Sequence, residues 1–238
     1  MATHPTDHTI VKTARTAGAL YLVIIVCGIF SEVFVRSALV VRGDAAATVA
    51  AIHGAEGLYR LGFASDLVVF LCDVAVTILL YVLLRPVDKT LARISAAFQL
   101  VGTAIYGVNL LHHFTVLLIS DGGGYLAAFA PDQLDALALL VLEIHRHGYD
   151  LGLVFFGLHC LVMGYLLYLS GYFPRLLGVL MVLAGVGYLV GSFTTFLLPE
   201  YAGAVAPIYA APLIGELAMC AWLLVKGIRP DRWPGLAG

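Results

Sequence analysis

Residues 147–193 read HGYDLGLVFFGLHCLVMGYLLYLSGYFPRLLGVLMVLAGVGYLVGSF. Two apolar runs, 147–170 and 174–198, flank the break Ser170-Gly171-Tyr172-Phe173-Pro174. A helix needs about 20 residues at 1.5 Å rise to cross the hydrocarbon core, and each run supplies them. Glycine closes the first helix, and proline opens the second, where its missing N–H costs nothing. Working outward, four more runs of this kind occur: 15–36, 60–84, 92–118 and 206–226. Arg85-Pro86-Val87-Asp88-Lys89 parts the second span from the third, and Pro199-Glu200 ends the fifth.

Composition agrees. Of 238 residues, 61% are apolar and 12% charged, against about 45–50% and about 25% in soluble domains. Mean hydropathy is +0.98. A soluble fold of this size could not hide so much apolar surface, so a cytosolic enzyme, a disordered chain and a secreted disulfide scaffold are excluded. A net charge of −2 gives no basis for nucleic-acid binding. Cys27, Cys72, Cys160 and Cys220 each lie in an apolar run without a CxxC, and read as small buried residues. The expected fold is therefore all-α: one polytopic bundle of six transmembrane helices over residues 15–226. Tails at 1–14 and 227–238 flank it. The first run extends past Phe30 with no small-residue cleavage site directly after it, which reads as an uncleaved span.

Lys and Arg counts orient the bundle. With the N-terminus inside, nine cations face the cytoplasm (Lys12, Arg15, Arg85, Lys89, Arg93, Arg175, Lys226, Arg229, Arg232). Four then face outward: Arg36, Arg42, Arg60 and Arg146. Both termini are expected in the cytoplasm of a multi-pass cell-membrane protein. Two outer segments have helical character. Residues 44–53 are alanine-rich. Residues 132–146 carry Leu134, Leu137, Val141 and Ile144 on one face and Asp132, Asp135, Glu143 and Arg146 on another. That stripe either lies on the leaflet or extends the fourth span. Gly122-Gly123-Gly124 reads as a turn and lacks the strand–helix setting of a phosphate loop.

An ionisable group at mid-membrane costs at least about 2.5–3.5 kcal/mol on insertion scales, so it faces protein or water. Placing each span's centre midway between its ends puts Asp73, His159 and Glu216 at one depth, on the second, fourth and sixth spans. Tyr106 and Tyr188 fall near the centres of the third and fifth, with Asn109 about one turn outward of Tyr106. An outer polar layer holds Glu32, Asp66, His112, His113, His147 and Asp150. Three readings stay open. The polar groups hold the bundle together as a structural or sensor subunit; they form a proton, ion or small-solute pathway; or they bind a metal or haem in an intramembrane enzyme. The first is weakened because in-membrane polar contacts contribute only about 0.6 kcal/mol on average. The third lacks an HExxH, His145-x-His147 cannot set both rings on one helix face, and haem ligation by His159 with His112 or His113 would need equal depth. A serine nucleophile has only Ser65 beside Asp66. A non-enzymatic role is favoured, no cofactor is assigned, and the lipid bilayer is the expected partner. A proton or small solute and a homo-oligomer are compatible with the sequence.

Gly148-x-x-x-Gly152 and Gly187-x-x-x-Gly191 suit close helix packing, while Phe155-Phe156 and the tyrosines suit lipid-facing or interfacial positions. Pro207 and Pro212 either break the sixth span beside Glu216 or merely open it.

Residues 58–91 and 147–193 resemble a bacterial integral-membrane family designated domain of unknown function 4386. The most specific segment is the GLxFFGLH…GYLxYxSGYFPRxLG pattern at Gly152 to Gly178. The resemblance implies about six spans and no established activity. It also implies a third span that often reads Phe-Arg-Leu, where this chain has Phe98-Gln99-Leu100. His159 falls inside the resembling segment.

Overall fold

The computed structural model describes residues 5–234, which are mostly helical with no strand among them. Helix α1 (Pro5–Ile29) continues through a π-helical stretch (Phe30–Arg36) into a last turn (Ser37–Leu39). The short α2 (Ala45–Gly54) follows, its first turn capped by Asp44, whose side chain accepts from the Ala47 amide at 2.9 Å. Then come α3 (Glu56–Leu84), α4 (Lys89–Ser120), α5 (Pro131–Leu169), α6 (Arg175–Leu197) and α7 (Ala210–Val225). Six segments are long and apolar enough to cross a membrane: Thr9–Leu39, Glu56–Leu84, Lys89–Ser120, Pro131–Leu169, Arg175–Leu197 and Pro199–Val225. Large apolar side chains such as Leu71, Val108, Leu176 and Val225 are exposed, a surface that lipid covers. The molecule is a multi-pass membrane protein.

Three boundaries differ from the sequence reading for physical reasons. The fourth helix starts at Pro131 and not at 147, the second of the two alternatives open for the stripe. The amphipathic stripe is the first part of the 39-residue α5, because no breaker stronger than Gly148 interrupts the chain from Pro131 to Leu169. The first helix runs from Pro5, and Ile10 and Ala14 are buried. The sixth span opens with irregular turns at Pro199–Tyr201, Ala202–Val205 and Ala206–Tyr209, so α7 is regular around Glu216. Pro212 lies in its first turn, where proline is tolerated.

The chain packs as two compact units. One comprises Met1–Leu22, Cys72–Thr103 and Asp150–Gly238. Its core holds Leu83, Met163, Leu166, Leu167, Met181, Met219 and Leu223. Within it α5 and α6 come so close that glycine is required on both sides. A Cβ on Gly164 would lie 2.7 Å from the Gly178 carbonyl oxygen, and one on Gly178 would lie 2.6 Å from that of Gly164. Gly157 and Gly185 repeat the arrangement two turns away. Without a hydrophobic drive between helices in lipid, such backbone approach supplies the packing. The expected GxxxG faces serve other contacts: Gly187 seats Pro212 and Gly191 seats Tyr209. Tyr172, fully buried, donates to the Leu83 carbonyl at 2.7 Å, and burial pushes its phenol up. The second unit comprises Val23–Leu71 and Ala104–Tyr149, with a core of Val35, Leu39, Ile52, Tyr59, Val116, Leu117, Ala138 and Leu142.

Candidate functional site

In the first unit, two carboxyls from different helices lie within electrostatic reach of each other: Asp73 on α3 and Glu216 on α7. Their hydrogen-bond partners are neutral. The Gln99 amide Nε2 donates to both oxygens of Asp73, at 2.7 and 2.8 Å, and the Thr103 hydroxyl donates to Oδ2. Gln99 and Thr103 are four apart on α4, so one helix face presents both groups. The Tyr188 hydroxyl on α6 donates to Glu216 Oε1, and the buried Tyr21 hydroxyl on α1 is within hydrogen-bonding range of the same carboxyl. Cys160 on α5 lies within electrostatic reach of both acids. All six spans therefore supply groups to this site. Gln99 Oε1 is buried with no hydrogen-bond partner.

His159 is buried in the same unit, but its ring is committed elsewhere. Nδ1 lies 2.9 Å from both the Ser95 hydroxyl and the Ser95 carbonyl oxygen. It pairs with neither carboxyl, which corrects the reading of three groups meeting at one point. Counting along the sequence did not specify rotation about α5. Phe156 is also not lipid-facing. Its ring lies 5.8 Å from that of His159 and 5.1 Å from that of Tyr188, joining the two side chains through aromatic contact. Beneath His159 is a cavity of about 10 Å³, lined by Thr77, Tyr81, Ser95, His159 and apolar neighbours, which is room for one water. Asp150 is in this unit as well, within electrostatic reach of Tyr209.

The remaining expected residues belong to the second unit. Tyr106 stands between Phe70 at 5.7 Å and Tyr149 at 4.7 Å. Asn109 joins α4 to α5: its Nδ2 donates to the His145 carbonyl at 2.7 Å, and the His145 ring donates back to the Asn109 carbonyl at 3.0 Å. Its Oδ1 meets His112 Nδ1 at 3.0 Å, and Gly148 leaves room for the amide. His147 donates to the Glu143 carbonyl of its own helix at 2.8 Å. Asp66 is buried and paired with Arg36 at 2.5 Å; Arg36 also donates to Ser31 and to the exposed Glu32 at 2.7 Å. Arg36 is thus an interior cation and not a loop charge, because the π-helical turn carries it onto the face that meets α3. His113 stacks on Tyr59 at 3.9 Å; its Nε2 donates to the Tyr59 carbonyl, and the Tyr59 hydroxyl donates to the His113 carbonyl. Among the described residues no three His, Cys, Asp or Glu side chains come together to hold a metal ion. Sequence reasoning missed Tyr21, Ser95, Gln99, Thr103 and Arg36 as partners. The spacing of Ser95, Gln99 and Thr103 at four-residue steps was the available signal.

The sequence profile described as "Domain of unknown function (DUF4386)" matches residues 16–227. The chain belongs to this family. Within the curated proteins, the DUF4386 chain is similar to an uncharacterized protein of Archaeoglobus fulgidus, at 30% identity over 159 residues, or 67% of this chain and 79% of the relative. No solved structure matches the chain.

Proposed function

We propose that this DUF4386 protein holds and passes protons through a site built on Asp73 and Glu216. One observation carries the reading: every hydrogen-bond partner of the two carboxyls can serve both protonation states. Hydroxyls of Thr103, Tyr188 and Tyr21 donate to a carboxylate and accept from a carboxylic acid. The Gln99 amide donates through Nε2, and its unengaged Oε1 is available to accept after a half-turn of the amide. Arginine, which has no acceptor, could do only the first. Intramembrane carboxyls partnered in this way are the groups from which proton relays are made. We further place the protein in the cell membrane with both termini in the cytoplasm. The excess of Lys and Arg in the loops assigned to the inner side supports this, and the burial of Arg36 against Asp66 strengthens it by removing one outer loop charge.

The test is proton flux into proteoliposomes loaded with a pH-sensitive dye and driven by a potassium diffusion potential. Wild type should acidify the lumen above protein-free vesicles. Asp73→Asn and Glu216→Gln should each cut the rate at least about tenfold, while Glu143→Gln, on an exposed acid, should leave it unchanged. A wild-type rate equal to that of empty vesicles, or variants that differ from wild type only in thermal midpoint, would establish the purely structural role instead.

A further inference from the structure

We propose that the cavity beside His159 is a binding site for one water, and that this water links the Asp73–Glu216 carboxyls to the end of the bundle that bears Arg85 and Lys89, a role that rests on the proton function proposed above. The cavity measures about 10 Å³, the space one water needs, and Thr77, Tyr81, Ser95, His159 and Met163 are among its walls. Ser95 decides what the imidazole offers there. The Ser95 hydroxyl donates to the His159 carbonyl at 3.3 Å. The Ser95 carbonyl oxygen, 2.9 Å from Nδ1, can only accept, so in the neutral ring Nδ1 carries the proton. Nε2 is then a bare acceptor, and it enters no hydrogen bond among the described residues. Thr77 gives its hydroxyl proton to the main-chain carbonyl of Asp73 at 2.7 Å, which leaves the lone pairs of its oxygen as a second acceptor. Two acceptors at one cavity call for a guest with protons to give. Water has that form and fits the volume, whereas an apolar guest would leave both acceptors bare.

The cavity lies on the seam that holds the carboxyl of Asp73. On α3, Asp73, Thr77 and Tyr81 follow one another at four-residue steps, and on α4 Thr103, Gln99 and Ser95 do the same in reverse order. Thr103 and Gln99 hold Asp73, while Thr77 and Ser95, one turn along each helix, line the cavity. A turn advances about 5.4 Å, farther than the roughly 2.7–3.2 Å a hydrogen bond spans, so the side chains alone leave a gap in the row. A water in the cavity stands in that gap. Beyond it Tyr81, part-exposed and one turn from the end of α3, leads to the Arg85–Lys89 turn. His159 acts here as a positioning residue: Ser95 fixes the ring, and Nε2 anchors the water. This accounts for a midplane imidazole that pairs with neither acid.

Pulsed X-ray hydroxyl-radical labelling of the full chain in detergent tests the site, because bound water gives radicals that oxidise a methionine beside it. Met163, Met181 and Met219 are each at most 1% exposed, and of the three only Met163 lines the cavity. In wild type Met163 should label several-fold faster than Met181 and Met219. Thr77→Val removes one acceptor; it should bring Met163 labelling toward that of Met181 and cut the proteoliposome flux several-fold. Thr77→Ser, which keeps the hydroxyl, should restore both. Ala92→Val adds volume to the cavity wall at a buried position and should act as Thr77→Val does. Continued protection of Met181 and Met219 shows that each variant is folded. Met163 labelling no faster than that of Met181 in wild type, or unchanged in both valine variants, overturns the water site. Unchanged flux in both valine variants while Asp73→Asn is impaired overturns the link and leaves the carboxyl site in place. Wild-type flux equal to that of empty vesicles removes the proton function and the link together.

Discussion

Gly164→Ala and Gly107→Ala should shift stability in opposite directions although both replace a helical glycine in a membrane span. At Gly164 a new Cβ would lie 2.7 Å from the Gly178 carbonyl oxygen and 2.8 Å from the Val182 amide nitrogen, against 3.4 Å at the short end of ordinary contact. Both obstacles are backbone of α6, so no side-chain rotation relieves them and the two helices must part. Forced expansion of a packed contact costs about 1–3 kcal/mol. Alanine returns about 0.5–1 kcal/mol of helix preference. The net loss is about 1–2 kcal/mol, or a fall of roughly 2–8 °C in midpoint for a chain of this size. At Gly107 a Cβ meets nothing within 4 Å, so only the helix gain remains and the midpoint should hold or rise. A thiol-reactive fluorogenic dye reads the transition in detergent, because Cys160 and Cys220 are buried and become reactive on unfolding. If Gly164→Ala melts at or above the temperature of Gly107→Ala, backbone contact between α5 and α6 does not set the stability of that unit.

Asp66→Asn leaves Arg36 without its buried partner and should cost about 3–5 kcal/mol, whereas Glu32→Gln, with a side chain 62% exposed, should cost under about 1 kcal/mol; equal shifts in the same melt would show that burial does not separate the two acids. Asp88→Ala should lose about 1 kcal/mol by uncapping α4, and Asp88→Asn should restore it, since both side chains cap comparably. Failure of asparagine to rescue would mean that the charge and not the cap matters there.

The spans were legible because apolar runs of membrane length leave one reading, and the break at Gly171 and Pro174 is marked by residues whose backbone chemistry ends and opens helices. Gly171 indeed takes a positive φ of 73°. Asp44 likewise announced α2, and its side chain caps it. The continuity of α5 was only one of two readings open for residues 132–146, since charges at Asp132, Asp135, Glu143 and Arg146 ended the apolar run without ending the helix. Hydropathy reports on surroundings, while helix continuity depends on backbone hydrogen bonds that those residues do not disturb. Asp73 and Glu216, singled out by counting along the spans, lie within electrostatic reach of each other. Facing required rotation as well, and a π-helical turn changes rotation without leaving a mark in composition. Hence Arg36 was counted in a loop although it lies against Asp66.

The two units handle buried acids in different ways, and the difference bears on exchange. Asp66 is held by Arg36, a permanent cation with donors only, so removing the negative charge would leave a buried positive one. That arrangement fixes a charge state and with it the contact between the end of α1 and α3. Asp73 and Glu216 are held by an amide and three hydroxyls, none of which acquires a charge when a carboxyl changes state. Adding or removing one proton there requires reorientation of small dipoles but no broken ion pair. Replacing Gln99 by arginine should convert the second arrangement into the first. In the flux assay Gln99→Arg should then behave like Asp73→Asn, while Gln99→Asn, whose amide can also donate and accept without a charge, should retain more flux than Gln99→Arg. Normal flux in Gln99→Arg would show that neutral partners are not what lets this carboxyl exchange.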